Sequence, residues 1–314
     1  MKKNKKVKAL VLLSGGLDSI LAVKLLLEQG IEVVAINFRT NFCGPSKARP
    51  AAEMLGVPLR EENIREEFLE VLKKPKHGYG AGMNPCIDCH ALMLKKAGQI
   101  MKKERFDFVA TGEVLGERPM SQHKKALQIV EKEAGLKGYL LRPLSAKLLE
   151  LTIAEKDGRI NREKLLAISG RNRKPQMELA KKFGIKEYPS PAGGCALTQE
   201  GFAARLKELM KNKPDFNSED VDLIRFGRHF FFNNAQIILG RNRRENEILE
   251  SLAKEEDALM VLEEIAGPTI LVRAKKIDGF IIEKAKELAI KFSPKAKSLN
   301  SSKLVLKIIS GALS

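Results

Sequence analysis

Two groups of residues in this chain have the types and spacing to do chemistry. The first is Ser14-Gly15-Gly16-Leu17-Asp18-Ser19, set between an apolar run and a helical pattern. Its glycines let the backbone turn tightly and come close to a ligand. Its hydroxyls and carboxylate stand at a helix start, where free amides attract anions. The second group is Cys86 and Cys89, which follow Asn84-Pro85, together with the distant Cys195 between glycines and a helix. Cys-x-x-Cys offers two sulfurs from one turn, and helix-start amides lower thiol pKa values. Three readings stay open. Three thiolates could hold a [4Fe–4S] cluster with one iron free of protein ligands. Cys89 and Cys195 could exchange a persulfide and then a disulfide. A structural zinc site would need His90 or His77 as a fourth ligand. Cys43, beside Phe42, reads as a small buried residue.

These groups need elements to position them. Val7 to Leu13 is nearly all apolar and predicts a buried strand, followed by a helix from Ile20 to Gln29 that Gly30 stops. Strands over 32–38, 58–60 and 106–111 alternate with helices over 47–55, 64–73 and 88–103, the first of these broken by Pro50. The alternation predicts an α/β fold with a doubly wound parallel sheet and helices on both faces. Ligands in such sheets sit beyond the carboxyl ends of the strands, where Ser14, Asn37 and Thr111 fall. Residues 151–214 read as a mostly helical, basic extension carrying Cys195, ending in a linker over 213–218. Residues 215–314 read as a small α+β domain. It has strands over 228–232 and 235–239 around an Asn233-Asn234 turn, strands over 259–262, 269–273 and 304–309, and helices over 244–253 and 281–292.

The 314 residues carry a net charge of +17, unevenly spread. Residues 121–214 contribute 20 basic and 10 acidic side chains, whereas residues 215–314 contribute 16 and 15. A basic surface of this kind suits a polyanion such as RNA. Arg159, Arg162, Lys164, Arg171, Arg173 and Lys174 are the expected contacts, with Arg241, Arg243 and Arg244 as a local patch. No apolar run reaches membrane-spanning length, and the lysine-rich start lacks a signal-peptide core. The expectation is a cytoplasmic protein without a membrane partner. Four cysteines in a reducing compartment point to metal or sulfur chemistry rather than disulfides.

The Ser14–Ser19 stretch has neither the Lys-Ser/Thr pair of a Walker loop nor a G-x-G-x-x-G. It resembles the PP-loop of the ATP pyrophosphatase superfamily, which uses ATP to adenylate an oxygen and releases pyrophosphate. With Asn84-Pro85-Cys86-x-x-Cys89, Thr111-Gly112-Glu113 through Ser121-Gln122, and Arg142-Pro143-Leu144, residues 5–212 resemble the tRNA 4-thiouridine synthetases. Leu239-Gly240-Arg241-Asn242 and Ala266-Gly267-Pro268 resemble the RNA-binding module of NFACT proteins. The resemblance implies a PP-loop ATP-binding domain over 1–150 and a tRNA uridine sulfurtransferase. Ser14, Gly15, Gly16 and Ser19 would cradle the ATP phosphates, and Asp18 would position Mg²⁺. Asn37 and Phe38 would border adenine, and Thr111 and Gly112 would bring backbone groups to the nucleotide. Cys86, Cys89 and Cys195 would carry the sulfur chemistry, supplied by sulfide or a persulfide-carrying protein. Lys147 reads equally as a phosphate contact or a surface lysine, and His123, Lys124 and Lys125 as RNA contacts or solvated charge. Residues 1–314 show neither the THUMP nor the rhodanese-like pattern of the synthetases, so the expectation is a relative that works without them. Two other classes compete: a PP-loop ligase or amidotransferase acting on a small molecule, and a non-catalytic RNA-binding factor.

Overall fold

The computed structural model describes residues 6–44, 46–188, 195–232, 235–263, 265–293, 295 and 306–310. The chain divides into two units, Met1–Gln199 and Glu200–Ser314. Residues 151–199, expected in a separate helical extension, thus fall in the first unit, while 200–214 fall in the second.

In the first unit the elements run Lys8–Leu12 (β1), Leu17–Leu27 (α1), Glu32–Arg39 (β2), Ala48–Leu55 (α2), Leu59–Asn63 (β3), Arg65–Lys73 (α3), Cys86–Glu104 (α4), Phe108–Ala110 (β4), Lys124–Glu133 (α5), Leu140–Leu141 (β5), Ile153–Lys156 (α6) and Lys174–Lys182 (α7). The strands form one parallel sheet in the order β3-β2-β1-β4-β5. The expected α/β architecture is present, with apolar cores on both faces. Ala9 and Val11 of β1 pack on one face with Leu17 and Leu21, while Leu10 packs on the other with Leu94 and Val130. This two-sided burial is why β1 reads as continuous apolar sequence rather than alternation.

Two local details differ from the sequence expectation. Helix α1 starts at Leu17 rather than Ile20, so Asp18 and Ser19 stand in its first turn. Pro50 does not break α2, because it is the third residue of a helix that starts at Ala48. A first-turn residue needs no intrahelical donor.

Strand order reverses at β1, whose neighbours β2 and β4 feed crossovers to opposite sides. A crevice opens beyond the carboxyl ends at such a point. Its floor is tightly built. A Cβ on Gly112, just past β4, would lie 2.5 Å from the Ser19 nitrogen, and one on Gly15 (φ +77°) would lie 2.2 Å from the Lys47 carbonyl oxygen. Both approaches are between backbones, which only glycine permits.

The second unit comprises Glu200–Asn212 (α8), Ser218–Leu223 (α9), Arg228–Phe232 (β6), Ala235–Leu239 (β7), Arg243–Leu252 (α10), Ala258–Leu262 (β8), Ile270–Arg273 (β9), Gly279–Phe292 (α11) and Leu306–Ser310 (β10). Its strands form an antiparallel sheet, β10-β8-β9-β7-β6. Ile281, Ala285 and Leu288 of α11 cover one face, and Leu249 of α10 covers the other. The expected small α+β domain is thus present. The Asn233-Asn234 turn lies outside the described residues. The stretch expected as a linker is packed instead: Phe216 is fully buried, and Asn217 caps α9 reciprocally with Asp220.

Because a Gly112 side chain would meet backbone rather than a flexible side chain, Gly112→Ala should destabilise the protein by about 2 kcal/mol or more. Urea unfolding of the variant against wild type measures this.

Candidate active site

The crevice is a cleft of about 660 Å³. Its walls include Ser14, Gly16, Asp18 and Ser19 of the glycine turn, Asn37 and Phe38 of β2, and Thr111, Gly112 and Glu113 after β4. Thus the segments that sequence reading assigned to a nucleotide line one cavity. Gly15 supports it from behind, against Lys47.

The glycine turn is locked by its own serines. The Ser19 hydroxyl donates to the Gly16 carbonyl at 2.8 Å and accepts from the Ser14 amide at 3.3 Å, and the two serine hydroxyls lie 3.2 Å apart. Gly16 is the N-cap of α1 and has no side chain to satisfy the helix amides. Orphan donors of this kind suit an anion. Asn37 ties β2 to β1, its amide donating to the Leu13 carbonyl at 2.8 Å. Phe38 lines the cleft while packing in the core, and is buried.

Glu113 is the electrostatic centre of the wall. Its carboxylate is buried and accepts from Arg142 Nε at 2.9 Å and from the Thr111 hydroxyl at 3.0 Å, and lies 2.7 Å from His90 Nδ1. Arg142 in turn reaches Glu131 at 3.1 Å and the Leu127 carbonyl at 3.3 Å. Burial by itself would raise the Glu113 pKa, but the Arg142 charge and the His90 hydrogen bond outweigh it and hold the carboxyl at about 2.

The thiols converge on the same region. Helix α4 begins at Cys86, so Cys86 and Cys89 share its first turn, and His90 follows into the cleft wall. Two backbone bonds bring Cys195 to them: Met83 N donates to the Leu197 carbonyl, and Ala196 N to the Phe42 carbonyl, each at 2.9 Å. A Cβ on Gly82 would sit 2.3 Å from the Leu197 oxygen, which shows how closely these strands of chain pass. The Asn84 amide lies 3.2 Å from the Cys86 sulfur. Asp88 is committed to structure, accepting from the Lys76 and His77 amides at 3.0 and 3.1 Å. Burial pushes the Cys89 thiol well above its ordinary pKa, and the neighbouring Cys195, Cys43 and Cys86 push it further.

Cys43 corrects the sequence reading. It is exposed, not buried, and lines the cleft with Cys195. The two imidazoles open to a zinc reading are engaged elsewhere, His77 with Glu133 at 2.9 Å and His90 with Glu113. Among the described residues, no three His, Cys, Asp or Glu side chains gather closely enough for a single metal ion.

The expected RNA contacts separate into two kinds. Arg159 pairs with Asp157 and Asp107, Arg162 with Glu155, Arg241 with Glu245 and Arg243 with Glu247. Lys164, Arg171, Lys174 and Arg244 are exposed. Arg173 lines the cleft, with Nη2 3.8 Å from Asp18 Oδ2. Lys147 bonds the Glu163 backbone and side chain at 3.0 Å, away from the cleft lining. Sequence reasoning missed Arg118 and Arg173 as cleft residues and Arg142 as the partner of Glu113. For Arg142, the Arg142-Pro143-Leu144 motif and a charge ending the buried Leu140-Leu141 pair are local signals, but neither names its partner.

A parallel sheet with a serine-bounded glycine turn at its switch point is an α/β arrangement similar to that of PP-loop proteins. Residues 5–148 match the family described as Thiamine biosynthesis protein (ThiI), and residues 227–308 match the NFACT protein RNA binding domain. A tRNA-specific 2-thiouridylase of Syntrophus aciditrophicus is 28% identical over 231 residues, covering 65% of this chain and 56% of that protein. A bifunctional NifU/MnmA protein of Rubrobacter xylanophilus is 34% identical over 160 residues, 45% of this chain and 31% of its own length. The chain thus spans about half or less of these relatives. Among solved structures, a 4-thiouridine synthetase in complex with RNA and ATP aligns with TM-score 0.40 and 20% identity over 69% of this chain and 52% of that one. The matches show the resemblance read from the motifs: the chain resembles PP-loop tRNA thiouridine synthetases and carries an NFACT-type carboxyl-terminal segment. No described helix is long and apolar enough to cross a membrane.

Glu113→Gln should cost about 3 kcal/mol of stability at pH 7, because it leaves Arg142 buried beside a neutral group. The sign with pH is fixed by the depressed pKa. Glu113 titrates near 4.5 when unfolded and about 2 when folded, so its contribution is full above 4.5 and lost as pH falls toward 2. Urea titrations at several pH values should therefore show the wild type and variant converging between these two points.

Proposed function

We propose that the protein is an ATP-dependent tRNA uridine sulfurtransferase. The observation that carries this reading is that one cleft is lined both by the glycine turn and by Cys43 and Cys195. A ligase acting on a small carboxylate needs the turn but not the thiols. A non-catalytic RNA-binding factor needs neither.

A carbonyl oxygen of uridine is a poor leaving group. Attack of that oxygen on the α-phosphorus of ATP forms an O–P bond, breaks the bond to the β-phosphate and expels pyrophosphate. Sulfur then adds to the activated ring carbon, and AMP departs with the oxygen. In this reading Ser14, Gly16 and Ser19 hold the phosphates through amides and hydroxyls, and Asp18 holds Mg²⁺. Asn37 and Phe38 border the base of the nucleotide, and Thr111 and Gly112 carry backbone groups to it. Donors already fixed in place stabilise the charge on the leaving group without reorganising. Exposed Lys164, Arg171, Lys174 and Arg244 face the RNA backbone, and the target uridine leaves its stack to enter the cleft.

The sulfur step is assigned to Cys86, Cys89 and Cys195. They suit a [4Fe–4S] cluster in kind: Cys195 and Cys86 both act on the buried Cys89 thiol, and the burial and repulsion that raise its pKa would be relieved by a cationic cluster core. When bound, such a cluster supplies an iron with an open position for sulfide. Asn84 orients Cys86, and the Glu113–His90 contact fixes the first turn of α4 beneath both thiols. A persulfide passed between Cys89 and Cys195 is the second reading, favoured by their electrostatic proximity. It consumes two thiols per turnover and needs a thiol reductant.

Mass spectrometry of tRNA nucleosides from cells lacking the protein should show one thiouridine missing. Wild-type protein should restore it and Asp18→Ala should not, while the variant keeps its tRNA affinity. An unchanged nucleoside profile would remove the reading. Anaerobically purified protein should be brown, and Cys86→Ala, Cys89→Ala or Cys195→Ala should each lose iron. Colourless protein with full activity would leave the persulfide route.

A further inference from the structure

We propose that Arg173, with Arg118, forms a clamp for the pyrophosphate end of ATP, and that Arg173 neighbours Asp18 only until that anion arrives. The proposal rests on the nucleotide reading above and adds to it two cations from outside the glycine turn.

Arg173 is the N-cap of α7 and lines the cleft beside the first turn of α1. Its side chain is largely buried, yet poorly satisfied. Its nearest carboxylate oxygen, Asp18 Oδ2, stands 3.8 Å away, beyond hydrogen-bond reach. Its Nε is shut from solvent without a hydrogen-bond partner among the described residues, and so is Asp18 Oδ1. A partly buried guanidinium and a partly buried carboxylate that approach without a hydrogen bond, each with one solvent-shielded atom unpaired, form an unfinished arrangement. Such groups cost free energy unless a ligand completes them.

The surroundings identify that ligand. Glu117 and Arg118 line the same wall, and Arg118 and Arg173 both act on Asp18 and Glu117. Two carboxylates and two guanidinium groups therefore line one cleft and act on one another beside the start of α1. A polyphosphate with a divalent cation satisfies all of them at once. Asp18 takes the cation, and Arg173 turns its planar fork to phosphate oxygens, which it fits bidentately. These groups act on Asp18 in the first turn of α1, whereas adenine is assigned to Asn37 and Phe38 of β2. The guanidinium groups hence meet the β- and γ-phosphates. As the bond between the α-phosphorus and the bridging oxygen breaks, the electron pair stays with pyrophosphate, and the two cations stabilise it there.

Calorimetric titration of the full chain with Mg·ATP, AMP and inorganic pyrophosphate tests the clamp. Arg173→Gln should weaken ATP and pyrophosphate binding by tenfold or more and leave AMP affinity unchanged. Arg173→Lys should recover part of the loss, and Arg118→Gln should show the same selectivity more weakly. The unchanged AMP affinity also reports that the variant is folded. Arg173→Gln protein that binds ATP and pyrophosphate like wild type, or that loses AMP equally, would overturn the clamp. Loss of tRNA affinity with nucleotide binding intact would move Arg173 to the RNA surface and overturn it as well. Wild-type protein that binds neither ATP nor pyrophosphate would instead overturn the nucleotide reading itself.

Discussion

The buried carboxylate of Glu113 is the point through which the site is held together. It follows β4, accepts from Arg142 at the end of β5, and meets His90 on α4. Three elements distant in sequence are thereby fixed at the carboxyl edge of the sheet. Removal of a partner leaves a buried charge with part of its hydrogen bonding lost, so the contacts support one another. His90 directly follows Cys89, so the same network that shapes the cleft wall also anchors the start of α4.

Close backbone packing does the rest. Gly112 lets the end of β4 rest on the first turn of α1, and Gly15 lets the glycine turn rest on Lys47. Gly82 lets the loop before α4 rest on Leu197. At these contacts a side chain would collide with main chain. The bonds from Met83 to Leu197 and from Ala196 to Phe42 then place Cys195 between the segments bearing Cys86 and Cys43. The chemistry of the cleft depends on these ordinary amide bonds, since the cysteines themselves are far apart in the chain.

Net positive charge is not the same as free positive charge. Arg159, Arg162, Arg241 and Arg243 spend their guanidinium groups on nearby carboxylates. Exposed pairs of this type are weak and exchange readily with a polyanion, whereas Arg162 meets a fully buried Glu155 carboxyl. In the second unit, Arg273 bridges the buried Asp257 and Asp220 and joins β9 to α9. That unit is held by buried ion pairs as well as by its apolar faces.

The sequence by itself determined the parallel sheet, the glycine turn at a strand-to-helix junction and the Cys-x-x-Cys at a helix start. Each is encoded in contiguous residues, through apolar runs, glycine placement and helix periodicity, and local rules read such signals directly. Pro50 and the start of α1 were misread by only a few residues, because helix ends depend on which amides remain unpaired. Only the tertiary structure decided that Cys43 is exposed in the cleft, that Arg173 faces Asp18 and not open surface, and that Arg142 completes Glu113. These pairings join residues far apart along the chain, and their strength comes from burial, which exists only once the sheet has closed over them. A charge or a thiol looks the same in sequence whether water or another side chain will surround it.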